Sequence, residues 1–321
     1  MKNHISVSAV IASFNQVNFI EEAVLSLADQ VDEIVVIDDQ STDGTYEKLE
    51  NLKKKLPNLV LTKKEQRLGV SQAYNCAVEI SSGDILVIQG GDDVSMPNRV
   101  RLQVEALQIP TTSLTYSLPV IINSHSAVMS DEIGAEFFRK REYQSDLSEL
   151  FFHGNFLCAP SVSMRRGDFL KHGGFLVNVD ALQDYFLWLK CAENGNMLRL
   201  GERIVKYRKH GKNLSRHDPT LVKSIRRELV ERIFVINKFL ESISESGLNE
   251  LLLQSGIDGA SLPPRMRTTL LKSRHPHTGV RLQAIQELLE MFNKQESYDS
   301  DHIAVSNLIN QILLTTESHL D

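Results

Sequence analysis

The stretch Ile34-Val35-Val36-Ile37-Asp38-Asp39-Gln40-Ser41-Thr42-Asp43-Gly44-Thr45 decides how the chain is read. Four consecutive β-branched residues with no polar alternation are the pattern of a strand covered on both faces. The run then stops at two adjacent carboxylates. They are not expected both to point into a core, so at least one should project into a ligand crevice at the strand end. A carboxylate there accepts hydrogen bonds from a base N–H or a ribose hydroxyl. Ser, Thr and Asp also cap helices. Capping accounts for Ser41–Asp43 and a following helix bearing Leu49, Leu52 and Leu56, but not for Asp38 and Asp39.

Outward from this stretch the pattern alternates. Val7–Ala12 is an apolar run of strand length, and Ile20, Ala23, Val24 and Leu27 recur at helical spacing. Leu59–Leu61 is a short third strand. Val70, Ala73, Ala77 and Ile80 mark a third helix, and Ile85–Ile88 a fourth strand. Strand–helix alternation with continuous apolar strands implies a mostly parallel, Rossmann-like α/β sheet flanked by helices. Ligands of such sheets sit beyond the carboxyl ends of the strands. Attention therefore falls on the loops Ser13–Gln16, Asp38–Gly44, Gln66–Gly69 and Gly90–Pro97. In the last, Gly90-Gly91-Asp92-Asp93 joins glycines that permit close backbone approach to carboxylates that suit Mn²⁺ or Mg²⁺. A plain acidic turn before a helix explains the same residues.

Composition sets the outer limits. With 321 residues, 42% hydrophobic, 24% charged and only 17 Gly and 9 Pro, the chain is globular rather than disordered or repetitive. A net charge of −6 gives no global signal for nucleic acid. No apolar run approaches membrane-spanning length, and Val7–Phe14 reads as a buried strand rather than a signal segment. Cys76, Cys158 and Cys191 are odd in number and far apart, which implies no disulfide framework or zinc site and a reduced, cytoplasmic setting.

Four segments in order now carry a resemblance: Val7–Asn15, Asp38–Thr45, Gly69-x-Ser71-x-Ala73-x-Asn75, and Gly83-Asp84-Ile85 running into Gly91-Asp92-Asp93-(x)3-Pro97. Residues 5–100 resemble the donor-binding half of inverting family 2 glycosyltransferases of GT-A fold, and the likeness continues more weakly through Ser215. The resemblance implies a nucleotide-sugar, UDP-linked, as donor. Asp39 would accept from its base, Ala12 and Phe14 would line the base pocket, and Arg67, before Gly69, would reach the base or diphosphate. Gly91 and Asp92 would lie at the diphosphate. Asp92 stands where the family's last metal-binding Asp of D-x-D stands, but the first Asp is Gly90 here. The metal shell would therefore lean on Asp92 and the diphosphate.

In the acceptor half, Leu182-Gln183-Asp184-Tyr185 resembles the Glu-Asp segment whose Asp is the family's general base; Gln183 replaces the Glu. Asp184 is thus the expected catalytic residue, with an N-cap of the following helix as the bland alternative. Trp188 reads as core rather than a sugar platform. Tyr207-Arg208-Lys209-His210 resembles the closing segment, making Arg208, His210 and Asp93 candidate diphosphate or acceptor contacts.

The resulting division is 1–215 for the catalytic unit, split into a nucleotide-sugar half (1–98) and an acceptor half (99–215), and 216–321 for an all-α region. Arg199–Arg232 holds eleven Lys/Arg against four Asp/Glu, and residues 259–286 add five bases and no acid. This is either a solvated helical face or a surface drawn to anionic headgroups or a lipid-linked pyrophosphate at the inner face of the membrane. The expected activity is metal-dependent, inverting hexosyl transfer to a glycan or lipid-linked glycan in cell-surface polysaccharide biosynthesis. A sugar-1-phosphate nucleotidyltransferase would need a glycine-rich phosphate loop where Ala12-Ser13-Phe14-Asn15 stands. A degenerate, non-catalytic nucleotide-sugar-binding protein is the other rival.

Overall fold

The computed structural model describes residues 4–179, 181–211, 222–257 and 262–293. The first half alternates as the hydrophobic pattern requires: β1 (Val7–Ser13), α1 (Ile20–Leu25), β2 (Glu33–Asp38), α2 (Thr45–Lys53), β3 (Leu59–Lys63), α3 (Val70–Ile80) and β4 (Ile85–Gly90). Then follow β5 (Val94–Ser95), α4 (Arg99–Leu107), β6 (Thr112–Tyr116), β7 (Val120–Ile122), α5 (Ala135–Phe138), α6 (Asp146–His153), β8 (Ser163–Arg165), α7 (Arg166–Lys171), α8 (Tyr185–Asn194), β9 (Asn196–Arg199) and β10 (Val205–Arg208). Helices α9 (Val222–Leu240), α10 (Glu245–Gln254), α11 (Pro264–Ser273) and α12 (Thr278–Asn293) complete the described chain.

The main sheet has seven strands in the order β3-β2-β1-β4-β8-β6-β9. Strands β3, β2, β1 and β4 run parallel; β8 is antiparallel to both β4 and β6; β6 and β9 are parallel. A small sheet, β5-β10-β7, lies apart from it. The parallel strands bury both faces, as continuous apolar runs must. Ala9, Ile11, Ile34, Val36 and Val87 pack toward α1, α2 and α4. Val10, Val35, Ile37, Leu86 and Ile88 pack toward α3, α6 and α8. The expected mostly parallel α/β sheet is therefore present, with one antiparallel insertion. Strands β8 and β9 were not legible, because three or four half-polar residues show no period.

The helical region does not stand apart. Val235, Ile236 and Phe239 of α9 and Leu251 of α10 are fully buried in the same core as Phe151, Leu187 and Trp188. Full burial of each such side chain contributes about 1.5–3 kcal/mol, so the tail is a layer packed on α6 and α8. The third tail helix expected around Ile303–Leu313 lies outside the described residues.

Candidate active site

Two strand-end loops are stitched together before any ligand is considered. The Asn15 amide donates to Ser41 Oγ (2.9 Å), Gln16 N to Thr45 Oγ1 (2.8 Å), and Thr42 N to Asn15 Oδ1 (2.9 Å). Asp38 caps its own turn, accepting from Ser41 N at 3.0 Å. Asp39 accepts from two backbone amides, Leu68 N at 2.6 Å and Gly69 N at 2.9 Å. Gly69, at φ +82°, turns the chain into α3, so Asp39 also faces the positive end of that helix. The exposure of Asp38 is 0% and of Asp39 3%. This corrects the expectation that one of them projects openly into a crevice: the loop before α3 closes over Asp39. Above it, the Arg67 guanidinium lies 3.7 Å from the Phe14 ring centroid. Phe14 with Arg67 and Asp39 with Gly69 are thus brought into contact, and Ala12 lies on β1, two residues before Phe14.

At the end of β4 the glycines have a local reason. A Cβ on Gly90 would stand 2.2 Å from Asp93 Oδ2, and one on Gly91 would stand 2.1 Å from Gln16 Oε1. The Asp93 carboxylate thus fills the space beside Gly90, and a side chain at position 90 would require it to move. Asp93 is buried and accepts from Arg208 N at 2.8 Å. Burial pushes its carboxyl well above the usual carboxylate range, the Asp92 charge adds to this, and Arg208 and Arg99 oppose it.

Arg208 departs from its expected role as a diphosphate contact. It is 1% exposed. Its Nε donates to Asp92 O (2.7 Å), Nη1 to Asn123 O and Ser126 Oγ (3.0 Å each), and Nη2 to Glu22 Oε2 (2.7 Å). These bonds make it a strut holding the Asp92–Asp93 turn. Asp93, bonded to that strut, likewise serves the turn rather than a diphosphate. His210, a candidate diphosphate or acceptor contact, lies with Nε2 2.8 Å from Asp92 Oδ2 and its ring tilted against Phe19 at 4.9 Å between centroids.

Asp92 offers an oxygen ligand of the kind Mn²⁺ and Mg²⁺ prefer. His210 adds an imidazole nitrogen, which Mn²⁺ accepts more readily than the harder Mg²⁺. Asp92 Oδ2 and His210 Nε2 stand 2.8 Å apart, so one ion could meet both. Among the described residues no group of three or more His, Cys, Asp or Glu could hold a metal ion. The remaining ligands would come from phosphate oxygens and water.

Asp184 is delivered to this region by a pinned loop. Asn75 of α3 bonds Phe175 N and O (3.0 and 2.9 Å), and Ser71 Oγ donates to Val179 O (3.1 Å). Glu231 of α9 accepts from Ala181 N (2.8 Å) and Leu182 N (3.0 Å) through one oxygen. Asp184 precedes α8 but makes no side-chain capping bond, so the cap alternative fails. Its carboxylate accepts instead from Asn155 Nδ2 at 3.1 Å. Burial pushes its carboxyl up to about 6, against the Trp188 indole and the Asn155 amide. The Tyr74 hydroxyl, bonded to Gln89 O at 2.8 Å, is pushed well above its usual range by burial and by the charges of Asp93, Asp92 and Asp184. Carboxylates from the two halves therefore converge around Tyr74.

Asn155, Tyr74 and Glu231 were missed. Asn155 and Glu231 lie outside the motif segments, and Tyr74 lies inside one but at an unassigned position. Of the basic run, Arg203 pairs with Asp131, Lys209 with Glu136, Arg232 with Glu228, Arg267 with Glu245 and Lys272 with Glu287. These side chains are ion-paired rather than free cations, and Arg267 and Lys272 are buried rather than on a solvated face. No helix among the described residues is long and apolar enough to cross a membrane.

Comparison with known proteins shows the family and the fold. The Escherichia coli UDP-Glc:alpha-D-GlcNAc-diphosphoundecaprenol beta-1,3-glucosyltransferase WfaP is 24% identical over 213 residues, covering 65% of this chain and 79% of that protein. Staphylococcus aureus TarS 1–349 in complex with UDP-GlcNAc superposes with a TM-score of 0.55 at 15% identity over 92% of this chain and 93% of that one. The mannosyltransferase PcManGT of Pyrobaculum calidifontis, in complex with GDP-Man and Mn²⁺, gives 0.55 at 16% identity over 97% and 81%. The two structures share the GT-A fold with this chain. The glycosyl transferase family 2 model matches residues 8–173, just over half of the sequence. Strand-end acidic turns, an acceptor-half carboxylate folded back beside them and this match lead to one conclusion: the chain is a glycosyltransferase belonging to glycosyl transferase family 2.

Proposed function

We propose that the protein transfers a hexosyl group from a UDP-sugar, with inversion, to a glycan or lipid-linked glycan in cell-surface polysaccharide biosynthesis. The observation that carries this reading is Asp184: a buried carboxylate, pushed up to about 6, beside the strand-end acidic turn. A base must be ionised at working pH yet basic enough to take a hydroxyl proton, and a value near 6 meets both needs. In the proposed step the acceptor hydroxyl oxygen attacks the anomeric carbon, Asp184 takes its proton, and the bond to the diphosphate breaks as the nucleoside diphosphate leaves with the electron pair. A single displacement inverts the anomeric centre.

The donor's base is proposed to stack at Phe14, with its N–H on Asp39, which exchanges the Leu68 and Gly69 amides for it. Arg67 then moves from the Phe14 face toward the diphosphate. Asp92 and His210 would hold Mn²⁺ or Mg²⁺, kept in place by the Arg208 strut. The ion supplies charge stabilisation for the departing diphosphate. Its affinity in the absence of nucleotide should be low, because two side chains are a sparse shell.

The lipid-linked acceptor is proposed because WfaP, whose name gives a diphosphoundecaprenol-linked acceptor, spans most of this chain. That class would place the work in the cytoplasm at the inner face of the membrane. The division into residues 1–215 and 216–321 is proposed as one of task rather than of independent folding, since the tail shares the core. The test is release of UDP from UDP-glucose and UDP-GlcNAc by the purified chain with Mn²⁺, alongside binding without turnover. Binding with no release, with or without a diphosphoundecaprenol-linked acceptor, would favour the non-catalytic alternative.

A further inference from the structure

The turn that leaves α6 is unusually well fixed for a loop. Gly154 sits at φ +83°, its N–H donates to Leu150 O at 2.8 Å, and its carbonyl accepts from Arg139 Nη2 at 2.9 Å. The next residue, Asn155, has both ends of its amide committed. Its Oδ1 accepts from Leu157 N at 3.0 Å, which fixes the sense of the amide, and Nδ2 therefore faces Asp184 Oδ1 at 3.1 Å. Flipping the amide would set an oxygen against a carboxylate and an NH₂ against an N–H, so one orientation wins.

We propose that Asn155 is a positioning residue for glycosyl transfer, holding the Asp184 carboxylate in its proton-accepting orientation. The proposal rests on Asp184 being the base. A donor fixed to one carboxylate oxygen has two consequences. It locks the side-chain rotamer, leaving the second oxygen as the site for the incoming proton. It also favours the charged carboxylate over the neutral acid, at a buried site where charge is costly.

The groups around Asp184 leave this task to Asn155. On its own helix it meets Trp188, and Tyr185 directs its hydroxyl away to Leu150 O. From α3 comes Tyr74, held neutral, with Asp92 and Asp93 beyond it. From α9 comes Glu231, engaged with the Ala181 and Leu182 amides. Among the described residues no Lys, Arg or His pairs with Asp184. The carboxylate thus sits among acids and aromatics; two neutral donors face it, the Trp188 indole and the Asn155 amide, and of these the Asn155 amide makes the hydrogen bond, at 3.1 Å, while Trp188 Nε1 has no hydrogen-bond partner among the described residues.

The experiment reads Asp184 protonation directly, by titrating ¹³C-carboxyl-labelled Asp in the whole protein, its resonance identified by loss in Asp184→Asn. Wild type should titrate near 6. Asn155→Ala should move the midpoint up by about one pH unit, the tenfold equivalent of one charge-assisted hydrogen bond. Asn155→Asp keeps the acceptor for Leu157 N and places a second carboxylate beside the first, so its shift should be larger still. In parallel, UDP release from UDP-glucose with Mn²⁺ should show an acid limb moving with the NMR midpoint, a loss of about fivefold at pH 6 for Asn155→Ala. Unchanged midpoints in folded Asn155→Ala and Asn155→Asp overturn the proposal. Full turnover in Asp184→Asn overturns the base assignment beneath it, a separate result from loss in Asp184→Asn with no effect at Asn155.

Discussion

Asp184→Asn should stabilise the protein at neutral pH, and by an amount that grows with pH. An Asp carboxyl ordinarily titrates near 3.8, and in the folded chain burial pushes Asp184 up to about 6. That gap is equivalent to about 3 kcal/mol, an upper estimate for a group that is 6% exposed. The sign follows from proton binding. The folded state holds this proton more tightly than the unfolded one. The associated stabilisation is fully present below the unfolded value and is lost as pH rises through about 6. Between pH 4.5 and pH 8 the wild type should therefore lose about 2 kcal/mol that the Asn variant keeps. Urea denaturation of both proteins at several pH values isolates the effect, because every other titrating group cancels in the difference. A fixed offset from changed hydrogen bonding is immaterial; the slope is the readout. A wild-type minus variant difference that is flat from pH 4.5 to 8 would refute the buried, perturbed carboxylate on which the reasoning depends.

Other outcomes follow from the same geometry. Asp39→Ala should weaken UDP binding about ten- to hundredfold, the loss of one charge-assisted bond, as measured by calorimetry; an unchanged Kd removes Asp39 from the donor site. EDTA should abolish UDP release, with Mn²⁺ or Mg²⁺ restoring it in wild type but not in Asp92→Asn at ordinary metal concentrations; full activity in EDTA would discard the metal role. Glu231→Ala leaves two loop amides without their acceptor and should lower kcat with little change in donor KM. Glu231→Gln, whose carbonyl can accept both, should retain most turnover; equal loss in the two variants would show that the charge matters rather than the loop bonds.

The first 98 residues were legible because their signals are local. Val7–Ala12, Ile34–Ile37 and Ile85–Ile88 are continuous apolar runs, and each becomes a central strand. Trp188 was read as core and is fully buried. What was not legible was settled by long-range contacts. Of Asp38 and Asp39 at least one is expected to project into a crevice, until the loop before α3 lands on Asp39. Arg208 looks like a ligand for phosphate until its guanidinium is found spanning from Asp92 to Glu22, residues 116 and 186 positions away. Gly90 looks like a lost ligand, yet it makes room for Asp93. Ser71 and Asn75 belong to the donor-half motif but anchor the acceptor-half loop, a link that no local pattern encodes. The Asp184 site is assembled from α3, the turn after α6, the loop before α8, and α9.

The measurement closest to the central claim is the stereochemistry of the first turnover. Proton NMR can follow the hydrolysis of UDP-glucose, an α-linked donor, by the purified chain with Mn²⁺, water standing in for the acceptor. Direct displacement at the anomeric carbon, with Asp184 as the base, predicts β-glucose as the first anomer released, before mutarotation, and its loss in Asp184→Asn. Release of α-glucose first would contradict the single-displacement account.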